Sequence, residues 1–388
     1  MGSVLLTNAQ LRKTLATVRS LGQKGVVVTV AEETRMNPSA YSKYCRYSMV
    51  YPSAKNKPLE LYQWLVNILK TGKYEVLFPM DDDIMKVAIE HREELEKLCS
   101  IPLPPTESYK IAMDKGRSAE LAINSLVDCP KTYFPKDISK LKELVLDINF
   151  PVVIKPRMSS GSRGIRLVER KEDFISYYLE AHMKYPYPIV QEYIGNGDRY
   201  DVCLLFDKSS QLKASFVQKE IRHYPLDMGP STIQESVWVP ELIDKAMKLM
   251  RNLQWYGVVE LEFMLDTSDG KFKLLEINPR FWNSLYMALI AGVDFPWILY
   301  KLAKGNEVEE TCTYKTGLKC SNILPGDILH FVFNKNRRPL KPPFLAGKKH
   351  NTYDDIISKS DPLPTLGFVL ACFRYLFDIN MWRFIFKR

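Results

Sequence analysis

Glu262 lies in Val259-Glu260-Leu261-Glu262-Phe263-Met264 and Glu276 in Leu275-Glu276-Ile277-Asn278-Pro279-Arg280, with a Ser268-Asp269-Gly270 turn between them. That turn makes the two segments a β-hairpin and lets the carboxylates face one another on adjacent strands. Side-by-side carboxylates repel unless a cation lies between them. Magnesium takes hard oxygen ligands and usually shares its sphere with nucleotide phosphates, and Glu262, Glu276 and the Asn278 amide oxygen supply such a set. Arg280, two residues further on, is placed to neutralise a transferring phosphoryl group or an acyl phosphate. Without other signals the same residues also describe a solvated acidic strand pair.

Two further segments carry nucleotide chemistry. Lys155 ends an apolar run, Phe150–Ile154, and Ser159-Ser160-Gly161-Ser162-Arg163-Gly164 follows it. A lysine ammonium is a compact phosphate-binding charge, and the backbone N–H groups of a small-residue loop can wrap phosphates. Val190-Gln191-Glu192-Tyr193-Ile194 precedes Gly195-Asn196-Gly197-Asp198. It can offer backbone groups to an adenine edge, with Asp198 placed to accept ribose hydroxyls as acidic residues do in other nucleotide sites. Taken singly, the first is also an ordinary strand end and the second a strand and turn.

These residues need a scaffold, and the chain supplies one in four parts. Residues 1–106 alternate apolar runs (Val4–Leu6, Val26–Val30, Tyr74–Phe78) with amphipathic stretches (Leu11–Ser20, Leu59–Thr71), the pattern of a Rossmann-like α/β unit with a parallel sheet. Pro79-Met80-Asp81-Asp82-Asp83 follows its last strand, where three carboxylates can bind a metal, bind a substrate amine or cap the next helix. Ile101-Pro102-Leu103-Pro104-Pro105 reads as a connection between domains. Residues 107–187 form a smaller α+β unit, 188–320 a β-rich unit that contains the hairpin, and 321–388 an extension.

Composition narrows the class. The 388 residues are 46% hydrophobic and 26% charged, which fits two or three folded domains rather than a disordered chain. The net charge of +9 is spread along the chain and no nucleic-acid-binding signature accompanies it, so nucleic acid is not the expected partner. Seven scattered cysteines without a C-x-x-C pair argue against a disulfide framework or structural zinc, and with no signal-peptide pattern they point to the cytoplasm. Leu366–Phe377 is apolar but interrupted by Arg374, short of a bilayer span. With Trp382, Arg383, Phe384, Phe386, Lys387 and Arg388 it fits a helix on the inner face of an anionic membrane, on a partner or on its own domain. Neither composition nor spacing determines the oligomeric state.

The three nucleotide and metal elements, in this order and preceded by Ala112-Met113-Asp114-Lys115, resemble the ATP-grasp superfamily over about residues 1–310. Lys219-x-x-Arg222, Ser231-Thr232, Glu235 and the run from Phe281-Trp282-Asn283-Ser284 to Ala291-Gly292-Val293-Asp294 look closest to its carbamoyl-phosphate-synthase-like carboxylate–amine ligases. The resemblance implies an N-terminal Rossmann-like domain followed by a two-subdomain ATP-grasp fold. It implies that Lys115 and Lys155 contact ATP phosphates beneath the loop Ser160, Gly161, Ser162, Gly164. It places Gln191, Glu192 and Ile194 at adenine and Asp198 at ribose, where the family more often has Glu. Glu262, Glu276 and Asn278 would hold one or two Mg²⁺, or Mn²⁺, and Arg280 with Lys219 or Arg222 would face the carboxylate and γ-phosphate. The implied activity couples a carboxylate, activated as an acyl phosphate, to an amine. An ATP-binding scaffold at a membrane and a kinase that releases an acyl or carbamoyl phosphate are the alternative readings.

Overall fold

The computed structural model describes residues 2–375 apart from 160, 162, 196, 227, 228, 338 and 339. The N-terminal strands β1 (Ser3–Leu6), β2 (Val27–Glu32), β3 (Cys45–Val50) and β4 (Val76–Phe78) form an all-parallel sheet in the order β3-β2-β1-β4. Val4, Leu5 and Leu6 are fully buried because helices cover both faces of the central strand. α1 (Arg12–Gln23) lies on one face, and α2 (Pro58–Leu69), α3 (Asp82–Glu90) and α4 (Arg92–Leu95) bury Leu61, Leu65, Ile84 and Leu95 on the other. β3 has no counterpart among the expected strands. It is an edge strand with Arg46, Tyr47 and Ser48 exposed, so it carries little apolar signal.

α5 (Thr106–Met113) and α6 (Lys115–Asn124) lead into a four-stranded antiparallel sheet, β5 (Thr132–Tyr133), β6 (Val152–Lys155), β7 (Arg166–Val168) and β8 (Ile189–Glu192), ordered β5-β8-β6-β7. α7 (Leu141–Asp147) and α8 (Lys171–Lys184) close one side of it over Val152, Ile154, Val168, Phe174 and Tyr178.

The largest sheet comprises β9 (Arg199–Phe206), β10 (Leu212–His223), β11 (Ser231–Ser236), β12 (Gly257–Leu265), β13 (Phe272–Asn278), β14 (Lys319–Ser321) and β15 (Thr352–Asp354), ordered β13-β12-β9-β10-β11-β14-β15. Its strands alternate strictly enough to assign faces. Val202, Leu204, Val259, Leu261 and Phe263 point to one face and pack with Ala112 of α5, Ala122 of α6, and Leu242 and Leu249 of α9 (Pro240–Met250). The opposite face changes character along its length. At one end Cys203, Leu205, Phe216 and Val258 share a continuous core with Val4, Leu6 and Val18 of the N-terminal domain and with α10 (Leu285–Ala291) and α11 (Phe295–Ala303). At the other end the same face carries Arg199, Asp201, Glu220, Glu260 and Glu262 and borders a cavity.

The extension is built into this body. β14 and β15 add to the sheet edge, α12 (Ile328–Phe333) follows β14, and α13 (Leu363–Tyr375) packs over the turn Pro38–Tyr41, with Gly367 against the Tyr41 ring. Arg19 of α1 donates Nε to Asp361 (2.9 Å), Nη1 to the Asp355 carbonyl (3.1 Å) and Nη2 to the carbonyls of Ile356 (2.8 Å) and Asp361 (3.1 Å). No single helix among the described residues is long and apolar enough to cross a membrane. The tail 376–388, with its aromatic and basic residues, lies outside the described residues.

Candidate active site

One cavity opens between the small sheet, the polar end of the large sheet and the N-terminal domain. Val153 and Ile165 line one wall, and Met264 and Leu275 the other. Lys115, Lys155, Glu262, Glu276 and Arg280 line the same space.

The hairpin expected from sequence is present. Glu262 pairs directly with Glu276 across β12 and β13, and Glu260 with Asn278. A β-bulge between Glu262 and Phe263 lets Leu275 and Glu276 both line the cavity where strict alternation would turn one of them away. The Asn278 amide nitrogen lies 3.2 Å from Glu260 Oε2, 3.1 Å from Glu262 Oε1 and 3.3 Å from Glu276 Oε1. Lys115 Nζ is 2.5 Å from Glu276 Oε2 and 2.9 Å from the Ser159 carbonyl, tying β13 to the loop after β6. The start of α6 is fixed by Asp114, whose Oδ1 accepts from the N–H groups of Gly116 (2.8 Å) and Arg117 (3.1 Å), a helix cap that aims Lys115.

Burial dominates the electrostatics of the site. Burial raises the Glu262 carboxyl well above its ordinary value, and the adjacent Glu276 and Glu260 add to the shift. Burial likewise raises Glu260 to about 7 and lifts Asp201. Burial alone would raise Glu276 too, but the Lys115 ammonium outweighs it and holds the carboxyl at about 2. Burial, reinforced by Lys115, lowers Lys155 to about 8. Among the described residues no three His, Cys, Asp or Glu side chains stand close enough to hold a metal by themselves. Instead the Asn278 amide occupies the space between three carboxylates. Hard oxygen donors, mutual repulsion and an amide whose oxygen would complete the set fit Mg²⁺.

Arg280 is held from outside the hairpin. Its Nε lies 2.9 Å from Asp82 Oδ1 and 3.3 Å from Asp81 Oδ1, and its Nη2 donates to Asn278 Oδ1 at 3.2 Å. The buried Lys13 ammonium joins the same cluster through Asp81 (2.7 Å) and the Phe281 carbonyl (2.9 Å). The acidic run after β4 therefore serves an arginine across the domain boundary. Asp81, at the cap position of α3, makes no side-chain capping bond.

The other expected site residues divide. Glu192 and Ile194 line the cavity with Tyr193 between them, the Glu192 carboxylate accepting from Lys131 N–H (2.9 Å) and Lys273 Nζ (3.1 Å). Gln191 is buried on β8 and donates to Thr132 Oγ1 at 2.9 Å, outside the cavity. Gly161 lines the cavity; Gly164, at φ +77°, is close enough to Tyr185 and Pro156 that a Cβ would meet them at 2.7 and 2.8 Å. Ser160 and Ser162 lie outside the described residues. Asp198 and Lys219 pair with each other at 2.6 Å and do not line the cavity. Lys219 alternates with Gln218 and Glu220, so its side chain leaves from the opposite face, over Tyr200.

Arg222 also departs from expectation. A bulge between Glu220 and Arg222 shifts the alternation of β10, so Arg222 turns away from the cavity that Glu220 lines. Its buried guanidinium binds Asp327 of the extension through Nη1 at 2.6 and 2.8 Å and donates Nη2 to the Pro342 carbonyl. Residues not singled out from sequence, Arg12, Arg199, Asp201, Glu220 and Glu260, line the cavity in their place. For Glu260 and Asp201 a signal existed: each lies two residues or one strand pairing from Glu262, on the same face.

This combination of a parallel-sheet domain, a small antiparallel sheet and a large antiparallel sheet with a metal-type hairpin at their junction is the ATP-grasp fold. Residues 114–311, about half of the chain, match the family model described as the carbamoyl-phosphate synthase L chain, ATP binding domain, and the chain belongs to that family. It is 29% identical over 252 residues to the acetyl-CoA carboxylase of Saccharomyces cerevisiae, covering 61% of this chain and 11% of that protein. The structure is similar to the Campylobacter jejuni biotin carboxylase bound to β-γ-ATP (TM-score 0.70, 16% identity, 81% of this chain and 74% of that one). It is also similar to the biotin carboxylase domain of the Hydrogenobacter thermophilus 2-oxoglutarate carboxylase in complex with MgADP, ADP and bicarbonate (TM-score 0.68, 17% identity, 81% and 73%).

Proposed function

We propose that the protein is a Mg²⁺- and ATP-dependent ligase that converts a carboxylate into an acyl phosphate and passes the acyl group to an amine. The observation that supports this most is the convergence of Lys115, Lys155, Glu262, Glu276 and Arg280 on one cavity between three structural units, with Asn278 hydrogen-bonded to both carboxylates and to the arginine.

In this reading the adenine slots between Val153 and Ile165 on one side and Met264 and Leu275 on the other, with its polar edge at the Glu192–Ile194 backbone. The Glu192 carboxylate is committed to Lys131 and Lys273, so recognition there falls to main-chain groups. Lys155 and Lys115 face the phosphates. Bound Mg²⁺, held by Glu262, Glu276 and Asn278, supplies charge neutralisation for the β- and γ-phosphates. A substrate carboxylate oxygen attacks the γ-phosphorus as the bond to the ADP oxygen breaks, giving acyl phosphate and ADP. The amine then attacks the acyl carbon, phosphate leaves, and the amine proton is lost. Catalysis consists of positioning and electrostatic stabilisation, and Arg280 is the cation aimed at the transferring group.

The exposed Leu363, Leu366 and Val369 of α13, spaced three apart, support a peripheral contact of this helix with an anionic membrane, and flotation with anionic vesicles checks it. The enzymatic reading is tested by following Mg²⁺-dependent ADP formation across a panel of carboxylates and amines and weighing the product. A new amide supports it; ATP binding without turnover anywhere in the panel supports a scaffold, and a stable acyl phosphate a kinase.

A further inference from the structure

Arg12 begins α1, at the positive end of a helix where a guanidinium is disfavoured. Its side chain is almost buried and it lines the active-site cavity, as do the polar Ser231, Gln234 and Asn283. Its partner is the buried Asp355, immediately after β15 in the extension, well beyond the matched residues 114–311.

Arginines nearby that do not line the cavity spend their donors on the fold. Arg19, two turns along α1, uses Nε, Nη1 and Nη2 on Asp361 and three carbonyls. Arg222 uses Nη1 and Nη2 on Asp327 and the Pro342 carbonyl. Arg12 donates Nη1 to Asp355, and among the described residues Nε and Nη2 make no hydrogen bond. A nearly buried guanidinium that lines a cavity and keeps two of its nitrogens out of hydrogen bonds is half of an oxyanion clamp.

We infer that Arg12, oriented by Asp355, binds an anionic group of the substrate, a carboxylate or phosphate distinct from the carboxylate that is activated, and that the C-terminal extension thereby helps select the substrate. This rests on the ligase reading for the location of the reacting carboxylate, near Arg280. Asp355 is a positioning residue: it holds one edge of the guanidinium and leaves the other to the ligand. The substrate class is an acid with a second anionic group, and Gln234, whose Nε2 donates to Ser231 Oγ at 2.5 Å, lines the same cavity with that serine as neutral polar surface.

The test uses the full chain saturated with Mg²⁺ and a non-hydrolysable ATP analogue, with calorimetric titration of acetate, succinate and phosphoglycolate. These carry one carboxylate, two carboxylates, and a carboxylate with a phosphate. The wild type is expected to bind at least one two-anion probe about tenfold or more tightly than acetate. In Arg12→Met that preference disappears while analogue and acetate affinities stay within about twofold. Arg12→Lys restores part of it, and Asp355→Asn gives an intermediate loss. Which of the two probes wins separates a carboxylate from a phosphate ligand. An unchanged preference in Arg12→Met, or a wild type that binds all three probes alike, overturns the inference. Because no turnover is read, absence of ligase activity would sink the proposed function without deciding this point, and the reverse holds as well.

Discussion

Asp82 at the start of α3 accepts a hydrogen bond from Arg280 Nε at 2.9 Å, so the cation two residues past the hairpin asparagine is aimed by the N-terminal domain. Lys13 and Asp81 brace the same contact. The consequence is that the N-terminal domain fixes the orientation of an arginine that lines the cavity.

Asp82→Ala should therefore lower kcat by about 10- to 100-fold, the range expected when a transition-state donor is misplaced, with nucleotide affinity changed by less than about threefold. Steady-state kinetics beside analogue titration check this. An equal loss in affinity would show that Asp82 supports the fold rather than the arginine.

Glu276→Gln removes charge from the cation set and unpairs Lys115 while keeping the shape. We expect Mg²⁺-dependent ADP formation to fall by at least about 100-fold. Isothermal titration of Mg²⁺ in the presence of ADP should show weakened metal binding, and unaltered Mg²⁺ affinity would remove Glu276 from the ligand set.

Nucleotide affinity is expected to depend on pH through Lys155. Burial holds the free enzyme's ammonium at about 8, below the ordinary 10.5, and a triphosphate beside it favours the charged form. Binding then takes up a proton above pH 8, so affinity should fall as pH rises from 8 towards 10, by up to about tenfold per unit. Lys155→Gln should flatten that profile. The unliganded protein runs the other way, because the unfolded chain holds this proton more tightly. The lysine's unfavourable contribution to stability is present below pH 8 and fades as pH rises to about 10.5.

Breaking the buried Arg222–Asp327 pair by Asp327→Asn should cost roughly 3 kcal/mol of stability, since a buried guanidinium is left without its charge partner. Denaturant unfolding measures it. Replacing both residues with apolar ones should recover much of that loss, the signature of desolvation rather than of a net attractive pair.

Much of this arrangement is legible in the chain. The hairpin's facing Glu262 and Glu276 follow from a turn and a period of two, and the parallel sheet follows from alternating apolar runs and amphipathic helices. What escapes is whatever depends on register beyond one hairpin. Arg222 is two residues from the cavity-lining Glu220 and would share its face but for a one-residue bulge that has no residue signature. Lys219 is on the wrong face for the cavity, which only the pairing of β10 with β9 reveals. Arg12 and Asp355 are 343 positions apart, and no local pattern links them. The acidic run after β4 shows its chemistry, yet its partner belongs to another domain.

The extension places three aspartates on three arginines: Asp327 on Arg222, Asp355 on Arg12 and Asp361 on Arg19. Two of those arginines ride on α1 and one on the large sheet, so the segment works as a tie-bar across the joint between them. With that joint bolted by ion pairs as well as by a shared core, the angle between the N-terminal domain and the large sheet is set by the chassis. Shortening the tie-bar would loosen that frame.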